Sequence, residues 1–251
     1  MIESNLFIDK SLKISKEEIL NDYYLINESR NLSLIGRKEV FMGRAKFGVF
    51  GDGKELPQIA MSKFFKNGDF RSGYYRDQTF MMAIDQLNAN QFFAQLYAHT
   101  DINFDPHSGG RQMNNHFGTR MLNSSGKWKT LTDMKNSASD VSCVSGQMPR
   151  IVGLGYASKL YRENKDLGQM HNFSINGNEV IFGTIGDAST SEGHFGNQLM
   201  LVVFFSYQLL CQYGMMVMVS LYPQNIIQLE MISQKFYLAF RDHQKMKMDL
   251  S

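Results

Sequence analysis

The stretch EVIFGTIGDASTSEG, residues 179–193, decides the fold. Its first eight residues form a short apolar run of the kind found in strands buried on both faces of a parallel sheet. Gly186 ends this run, Asp187 follows directly, and Ser189 and Glu192 have the spacing of a capping box that opens a helix. A strand, a glycine turn and a helix in this order predict an α/β fold, in which ligands bind beyond the carboxyl ends of the strands.

The position of Asp187 predicts a ligand chemistry. Backbone N–H groups at the start of a helix bind phosphate oxygens. A carboxylate beside them can hold the Mg²⁺ ion that neutralises a diphosphate, because Mg²⁺ prefers hard oxygen ligands. The combination therefore suits a diphosphate cofactor. The alternative is that Ser189 and Glu192 only form a well-made helix start.

Apolar residues at helical spacing predict further helices along the chain. Ser15 and Glu18 form a second capping box, at the start of the first of them. Gly, Asn, Ser and Asp dominate residues 100–147, which predicts a long loop, and loops of that length are usually functional. The predicted helices cover residues 15–35, 57–66, 77–99 and 148–163.

Two glycine motifs elsewhere in the chain are rejected as cofactor sites. GDG at residues 51–53 matches a thiamine diphosphate motif literally, but no strongly apolar strand precedes it. The pair Asn114-Asn115 is too far along the chain to complete that motif. GLGYAS at residues 153–158 lies inside a helical pattern and lacks the third glycine of a dinucleotide fingerprint.

Composition bounds the class of protein. The chain has 251 residues, of which 43% are hydrophobic, enough for a folded core. Its 26 basic and 24 acidic residues leave a net charge of +2, which predicts no nucleic-acid partner. Two cysteines and no signal-peptide pattern at the N-terminus predict a reducing, cytoplasmic location without a disulfide framework.

Four segments together resemble the thiamine diphosphate-dependent 2-oxoacid dehydrogenases. The resemblance covers residues 35–195 and is closest to the α part of a branched-chain decarboxylating component whose α and β parts are fused in one chain. It implies a thiamine diphosphate-binding fold, a parallel sheet flanked by helices, that is incomplete at the C-terminus. The four segments are GDGKELPQIAMSKFFKNGDFRSGYYRDQTFMMA (51–83), GRQMNNHF (110–117), QMPRIVGLGYASKLYR (147–162) and GTIGDASTSEGHF (183–195).

The resemblance also implies an activity and its partners. An enzyme of this family would decarboxylate a branched-chain 2-oxoacid oxidatively and transfer the acyl group to a lipoyl group, with thiamine diphosphate and Mg²⁺ as cofactors. It implies a lipoyl acyltransferase partner, a β-type thiamine-binding domain and a homo- or hetero-oligomer. An acetoin- or pyruvate-type dehydrogenase component is the alternative on the same scaffold.

Cofactor-binding residues follow from the resemblance by position. Tyr75 and Arg76 match a Tyr-Arg pair that contacts the diphosphate, and Asp187 matches the Mg²⁺ ligand. His116 is a candidate near the substrate, with the alternative that it only anchors its loop. The remaining implied positions line the diphosphate or form a loop beside the cofactor that holds a monovalent cation in relatives: Gly186, Ala188, Ser189, Ser142 and Gln147. Cys143 occupies a position at which many relatives have proline, a departure within that loop.

The sequence changes character after Phe195. No Lys, Arg, Asp or Glu occurs from residue 193 to residue 229, and residues 198–222 exceed the ~20 residues needed to cross a bilayer. One interpretation is therefore a membrane-anchored, non-enzymatic protein. Met215 and Met216 stand where relatives have an Asn or Asp pair, and their soft thioethers are poor ligands for Mg²⁺.

A frameshift explains the same segment without a membrane. In relatives, the sequence from this aromatic residue onward resembles FWESINAGGV. If one T is deleted from plausible codons for that sequence, the shifted codons translate as FGNQLMLVV, which is the sequence of residues 195–203. The same shift converts SVWDDGYGIS into QYGMMVMVS, residues 212–220.

The resulting domain prediction has three parts: an N-terminal helical segment (1–45), a partial diphosphate-side domain (46–195) and an aberrant tail (196–251). A truncated chain of this kind would lack the second metal ligand and the glutamate of the β part, and we expect it to be an inactive fragment.

Overall fold

In a computed structural model of the chain, we describe the backbone of residues 15–186, 188–204, 208–212 and 216–220, and the side chains of residues 15–167, 170–186 and 188–198. Asp187 and Met215 lie outside these ranges, as does the side chain of Cys211. The helices are α1 (Lys16–Phe41), α2 (Glu55–Ser62), α3 (Gln78–Ala83), α4 (Ala89–Leu96), α5 (Gln147–Glu163) and α6 (Gly193–Phe204). The strands are β1 (Phe70–Ser72), β2 (Asn136–Ser137), β3 (Ile181–Thr184), β4 (Gln208–Gln212) and β5 (Met216–Ser220).

The strands form one sheet in the order β2-β1-β3-β5-β4. β1 pairs in parallel with both β2 and β3, with Phe70 opposite Asn136 on one side and Ile181 on the other. The predicted parallel sheet is confirmed for these three strands. It does not extend further, because β5 is antiparallel to both β3 and β4. α6 leads to β4, which runs in the direction of β3, and β5 folds back between them.

Helices cover both faces of the parallel strands, because successive strand residues point to opposite faces. Phe182 lies in the larger apolar cluster, together with residues of α1 to α4 such as Phe80 and Phe92. Ile181 lies in a second cluster with Met148 and Ile151 of α5. The expected α/β arrangement, a sheet between helical layers, is thus present in the described residues.

The helix predictions are confirmed in number and type at three of four segments. α1 begins where the capping box predicts, since the Ser15 side chain accepts a hydrogen bond from the Glu18 N–H at 3.1 Å. The predicted helix at 77–99 is wrong as a single helix. It divides into α3 and α4 because Asp85 adopts a left-handed φ of 62° and Asn88 forms a new capping box with Gln91.

The helix after β3 begins later than predicted. Residues Ala188–Ser191 form a 3₁₀ turn, and α6 starts at Gly193 rather than at Ser189. The Ser189 N–H donates to the Gly186 carbonyl at 3.1 Å, which folds the chain tightly back at the strand end before the helix starts.

The apolar segment 198–222 is described in part. Its described residues belong to the end of α6 and to β4 and β5. None of the helices in the described ranges combines the length and the apolar character that a membrane span needs.

Candidate cofactor site

Three loops meet at one edge of the sheet because β1, β2 and β3 are parallel and end there together. Residues 73–77 follow β1, residues 138–146 follow β2, and residues 185–186 and 188–189 follow β3. They carry Tyr75 and Arg76, Ser142, and Gly186 with Ser189, respectively. The carboxyl edge of a parallel sheet is where α/β folds bind ligands. The sequence-predicted residues on these loops are therefore gathered at one end of the fold.

Three of the predicted residues form one contact group. The ring of Tyr75 stacks on that of His116, with centroids 5.7 Å apart and planes 14° apart. His116 Nε2 lies 2.9 Å from Ser142 Oγ, and its Nδ1 lies 3.2 Å from the carbonyl oxygen of Asn114. Because a carbonyl can only accept, Nδ1 carries the proton and donates it to Asn114. In the neutral ring, Nε2 then accepts the hydroxyl proton of Ser142, which is exposed.

Arg76 presents its charge to solvent at the same edge. The side chain is exposed, and its guanidinium carbon lies 5.8 Å from the centre of the Tyr74 ring. Among the described residues no carboxylate pairs with it, whereas its backbone carbonyl is held by Gln58 Nε2 at 2.9 Å. A guanidinium with its donors available fits phosphate oxygens, which it can bind in a bidentate manner.

Gly186 lies in a close approach of two loops. A Cβ at this position would lie 3.1 Å from the hydroxyl oxygen of Tyr74 and 3.5 Å from Ser189 Oγ. Gly186 and Ser189 are buried and Ala188 is exposed, so the turn is compact with one face open. Asp187 itself lies outside the described residues. Among the residues that are described, no cluster of three or more His, Cys, Asp or Glu side chains could hold a metal ion.

Gln147 connects elements rather than lining an open surface. It is the first residue of α5 and is buried, and its Nε2 donates to the carbonyl of Thr184 at 2.7 Å. Its own carbonyl accepts from Ser72 Oγ at 3.3 Å. Gln147 thus joins the start of α5 to the ends of β1 and β3. Cys143, in the preceding loop, is exposed and is not in a disulfide.

The rejected glycine motifs have structural roles. Asp52 of the GDG motif forms an ion pair with Arg37 of α1 at 2.6 Å, in a turn before α2. The Asn114 side chain binds both the N–H and the carbonyl of Val49, at 2.9 and 2.7 Å. GLGYAS lies entirely within α5.

A buried charged cluster under the three loops was not predicted. Arg71, in the middle of β1, is 0% exposed and donates to Asp77 and Asp140, each of which is also buried. Burial disfavours the charged guanidinium, but the attraction of Asp140 and Asp77 outweighs it and raises the pKa of Arg71. No local sequence pattern marks Arg71 as buried, because neither β1 nor β2 shows the apolar alternation that identifies a strand. Its partner Asp140 is 69 residues away, and the pairing of β1 with β2 brings the two together.

Comparison with known proteins identifies the family of the chain. The family model described as "Dehydrogenase E1 component" matches residues 29–212. A relative from Bacillus subtilis (strain 168), "2-oxoisovalerate dehydrogenase subunit alpha", is 28% identical over 154 residues. That alignment covers 61% of this chain but only 37% of the relative. The family match covers more than half of the chain and includes all three loops of the carboxyl edge, so the chain belongs to the dehydrogenase E1 component family.

Proposed function

We propose that this chain is the diphosphate-binding part of a thiamine diphosphate-dependent 2-oxoacid dehydrogenase. The observation that carries the proposal is the exposed Arg76 at the carboxyl edge of the parallel strands, whose guanidinium lies near the Tyr74 ring and has no carboxylate partner among the described residues. Tyr75 beside it stacks on His116, and the Gly186 turn lies against Tyr74. Family membership supports the same assignment.

Each residue has a defined task in this proposal. Arg76 would bind phosphate oxygens through its guanidinium, and the backbone of Gly186, Ala188 and Ser189 would line the diphosphate. Asp187 would ligate Mg²⁺ through its carboxylate. Thiamine diphosphate, when bound, supplies the nucleophilic carbon and accepts the electrons released by decarboxylation. The protein would position the cofactor and exclude water around it.

His116 and Ser142 are suited to proton transfer beside the cofactor. Nδ1 of His116 is fixed by Asn114, so Nε2 is the atom that can gain a proton, and it faces the exposed hydroxyl of Ser142. Histidine is the commonest general acid or base in enzymes. We propose that Nε2 exchanges a proton with substrate through Ser142 Oγ.

The substrate proposed is a branched-chain 2-oxoacid, because the relative from Bacillus subtilis carries a 2-oxoisovalerate dehydrogenase name. The acyl group would pass to a lipoyl group on a partner acyltransferase. A β-type domain would complete the thiamine site. A pyruvate- or acetoin-type substrate is the alternative, and turnover of the complete assembly with each substrate distinguishes them.

We further propose that residues 196–251 are a frameshifted sequence and that this chain alone does not turn over substrate. The support is the codon relation between residues 195–203 and the family's continuation, together with the absence of charged residues from 193 to 229. Aggregation of a long uncharged apolar segment is an expected consequence.

Calorimetric titration of the purified chain with thiamine diphosphate and Mg²⁺ tests the cofactor assignment. We expect binding, and we expect Arg76→Ala to weaken it ten- to a hundredfold, since a charge-assisted hydrogen bond contributes about 1.5–3 kcal/mol. Arg44→Ala, at an exposed arginine beyond the end of α1, is the matched control and should bind as the wild type does. Wild-type protein that binds no thiamine diphosphate, or equal affinity in the Arg76 variant, would overturn the assignment.

A further inference from the structure

We infer that the buried cluster of Arg71, Asp77, Asp140 and Thr184 is a positioning device for the turn that carries Tyr75 and Arg76. The identity of the ligand at this turn rests on the proposed function. The role of the cluster in holding the turn rests only on hydrogen bonds between described residues.

The cluster first joins β1 to the end of β2. Arg71 Nη1 donates to Ser137 Oγ at 2.8 Å and to Asp140 Oδ1 at 3.0 Å. Its Nη2 donates to Asp140 Oδ2, also at 3.0 Å. A two-pronged pair of this kind fixes orientation as well as distance, because both groups are planar and rigid. Arg71 is therefore held in one orientation with respect to β2.

The cluster then holds the turn after β1 from both sides of Tyr74. Arg71 Nη2 donates to the Tyr74 carbonyl at 3.0 Å. The Tyr74 N–H donates to Asp77 Oδ2 and to Thr184 Oγ1, both at 3.1 Å. Thr184 Oγ1 in turn donates to Asp77 Oδ2 at 2.6 Å, which attaches the turn to the end of β3.

This arrangement brackets the two residues proposed to contact the diphosphate. Tyr74 and Asp77 stand immediately before and after Tyr75-Arg76, and both belong to the cluster. Arg76 itself is exposed, so its own side chain does not set the path of the turn. Gly73 leaves room for the cluster, because a Cβ there would overlap Asp77 Oδ2 and the guanidinium of Arg71.

Stability alone does not require such a cluster. Replacing a buried ion-pair network by apolar residues of similar volume is often neutral or stabilising, since burial of the charges costs several kcal/mol per ion. The cluster at the strand ends therefore acts on conformation: it selects one geometry of the turn and so holds Tyr75 and Arg76 in a fixed place.

Hydrogen–deuterium exchange on the full chain tests the inference with two substitutions at one position. Thr184→Val removes the hydroxyl that binds Asp77 and Tyr74 and keeps the side-chain shape, whereas Thr184→Ser keeps the hydroxyl. We expect the segment 73–78 to exchange at least tenfold faster in Thr184→Val and at the wild-type rate in Thr184→Ser. Exchange in α4 should be the same in all three proteins.

A matched control removes a buried threonine hydroxyl elsewhere. Thr132 Oγ1 donates to the His171 carbonyl at 3.0 Å, outside the cluster. Thr132→Val should leave the exchange of 73–78 unchanged. Unchanged exchange of 73–78 in Thr184→Val, or an equal increase throughout the chain, would overturn the positioning role.

Titration of the same variants with thiamine diphosphate and Mg²⁺ gives the second readout. If the wild type binds, we expect Thr184→Val to bind at least fivefold more weakly and Thr184→Ser to bind as the wild type does. Equal affinity in Thr184→Val would refute the link between the turn and the cofactor. Failure of the wild type to bind would refute the proposed function, while the exchange measurements would still decide whether the cluster positions the turn.

Discussion

The guanidinium of Arg71 forms a two-pronged ion pair with Asp140, with Nη1–Oδ1 and Nη2–Oδ2 both at 3.0 Å, and both side chains are buried. Asp140 Oδ2 also accepts the N–H of Phe117, which is the residue after His116. One carboxylate therefore ties β1 to the loop that carries His116.

Removing the Asp140 charge should destabilise the fold strongly. Asp140→Ala leaves Arg71 with one carboxylate and the Phe117 N–H without its acceptor, and breaking a buried pair costs about 3–5 kcal/mol. Urea unfolding at neutral pH measures the change. Asp133→Ala, at an exposed acid near β2, should alter the free energy of unfolding by about 0.5 kcal/mol or less. A loss below about 1 kcal/mol for Asp140→Ala would contradict the structural role of the pair.

Two glycines should respond to alanine in opposite directions. Gly73→Ala places a methyl group against Asp77 and Arg71, and we expect a loss of about 1–3 kcal/mol or more in the free energy of unfolding. Gly153→Ala lies inside α5, where the new Cβ meets no atom within 4 Å apart from its own stretch of the helix, and should stabilise by about 0.5–1 kcal/mol. Thermal and urea unfolding of both variants check this. A stable Gly73→Ala protein would show that the cluster has room that the structure does not indicate.

The contact between His116 and Ser142 should appear as a coupling energy. In a double-mutant cycle, we expect the losses of unfolding free energy caused by His116→Ala and Ser142→Ala to be less than additive. The expected interaction energy is about 0.5–1.5 kcal/mol. The cycle of Ser142→Ala with His99→Ala, whose histidine is exposed and contacts Phe104, should show none. Zero coupling in the first cycle would mean that the hydrogen bond contributes nothing in solution.

Asp69 should make the protein more stable in mild acid. Burial, which is opposed by hydrogen bonds from the Val180 and Lys66 N–H groups, raises its pKa from 3.8 to about 6. The folded state therefore binds a proton that the unfolded state has lost between those two values. The contribution of Asp69 to the free energy of unfolding increases as the pH falls through 6 and levels off below 3.8.

The size of this effect follows from the shift, and a variant isolates it. Because one pKa unit corresponds to about 1.36 kcal/mol, the contribution of Asp69 to the free energy of unfolding changes by about 3 kcal/mol at most. The difference in urea stability between the wild type and Asp69→Asn, followed from pH 7 to pH 4, isolates it from other groups. Asp133→Asn, at an exposed acid, should show no such trend. A pH-independent difference for Asp69→Asn would refute the shifted pKa.

The nucleotide sequence decides the origin of the apolar tail. We expect that restoring one base near the codon for Phe195 opens a long reading frame that continues with charged and polar residues of the family type. Sequencing of the genomic locus and of its transcript checks this. If the restored frame closes within a few codons, the frameshift proposal fails and residues 196–251 are the encoded sequence.

Local sequence was sufficient for the long elements and for part of the site. α1 combines helical spacing with a capping box at its start, α5 shows helical spacing alone, and β3 is an apolar run bounded by glycine. Tyr75, Arg76 and Gly186 were identified by resemblance, and the structure brings their loops to one edge. The sequence also predicted His116 and Ser142 as separate candidates, but not that they contact each other.

The short strands β1 and β2 could not be predicted from local sequence, because their formation depends on pairing with neighbouring strands. β1 has three residues, with Arg71 in its middle, and β2 has two polar residues, so neither shows the apolar alternation that identifies a strand. Phe70 becomes part of a strand because it pairs with Asn136 and Ile181 on either side.

The sequence by itself determined the family, the long helices, the buried strand β3 and the residue types suited to a diphosphate. Tertiary structure decided that β1 lies between β2 and β3 and that Arg71, Asp77, Asp140 and Thr184 form one cluster. The physical reason is distance along the chain: a buried ion pair between residues 69 positions apart forms only when parallel strands place both at the same edge of the sheet.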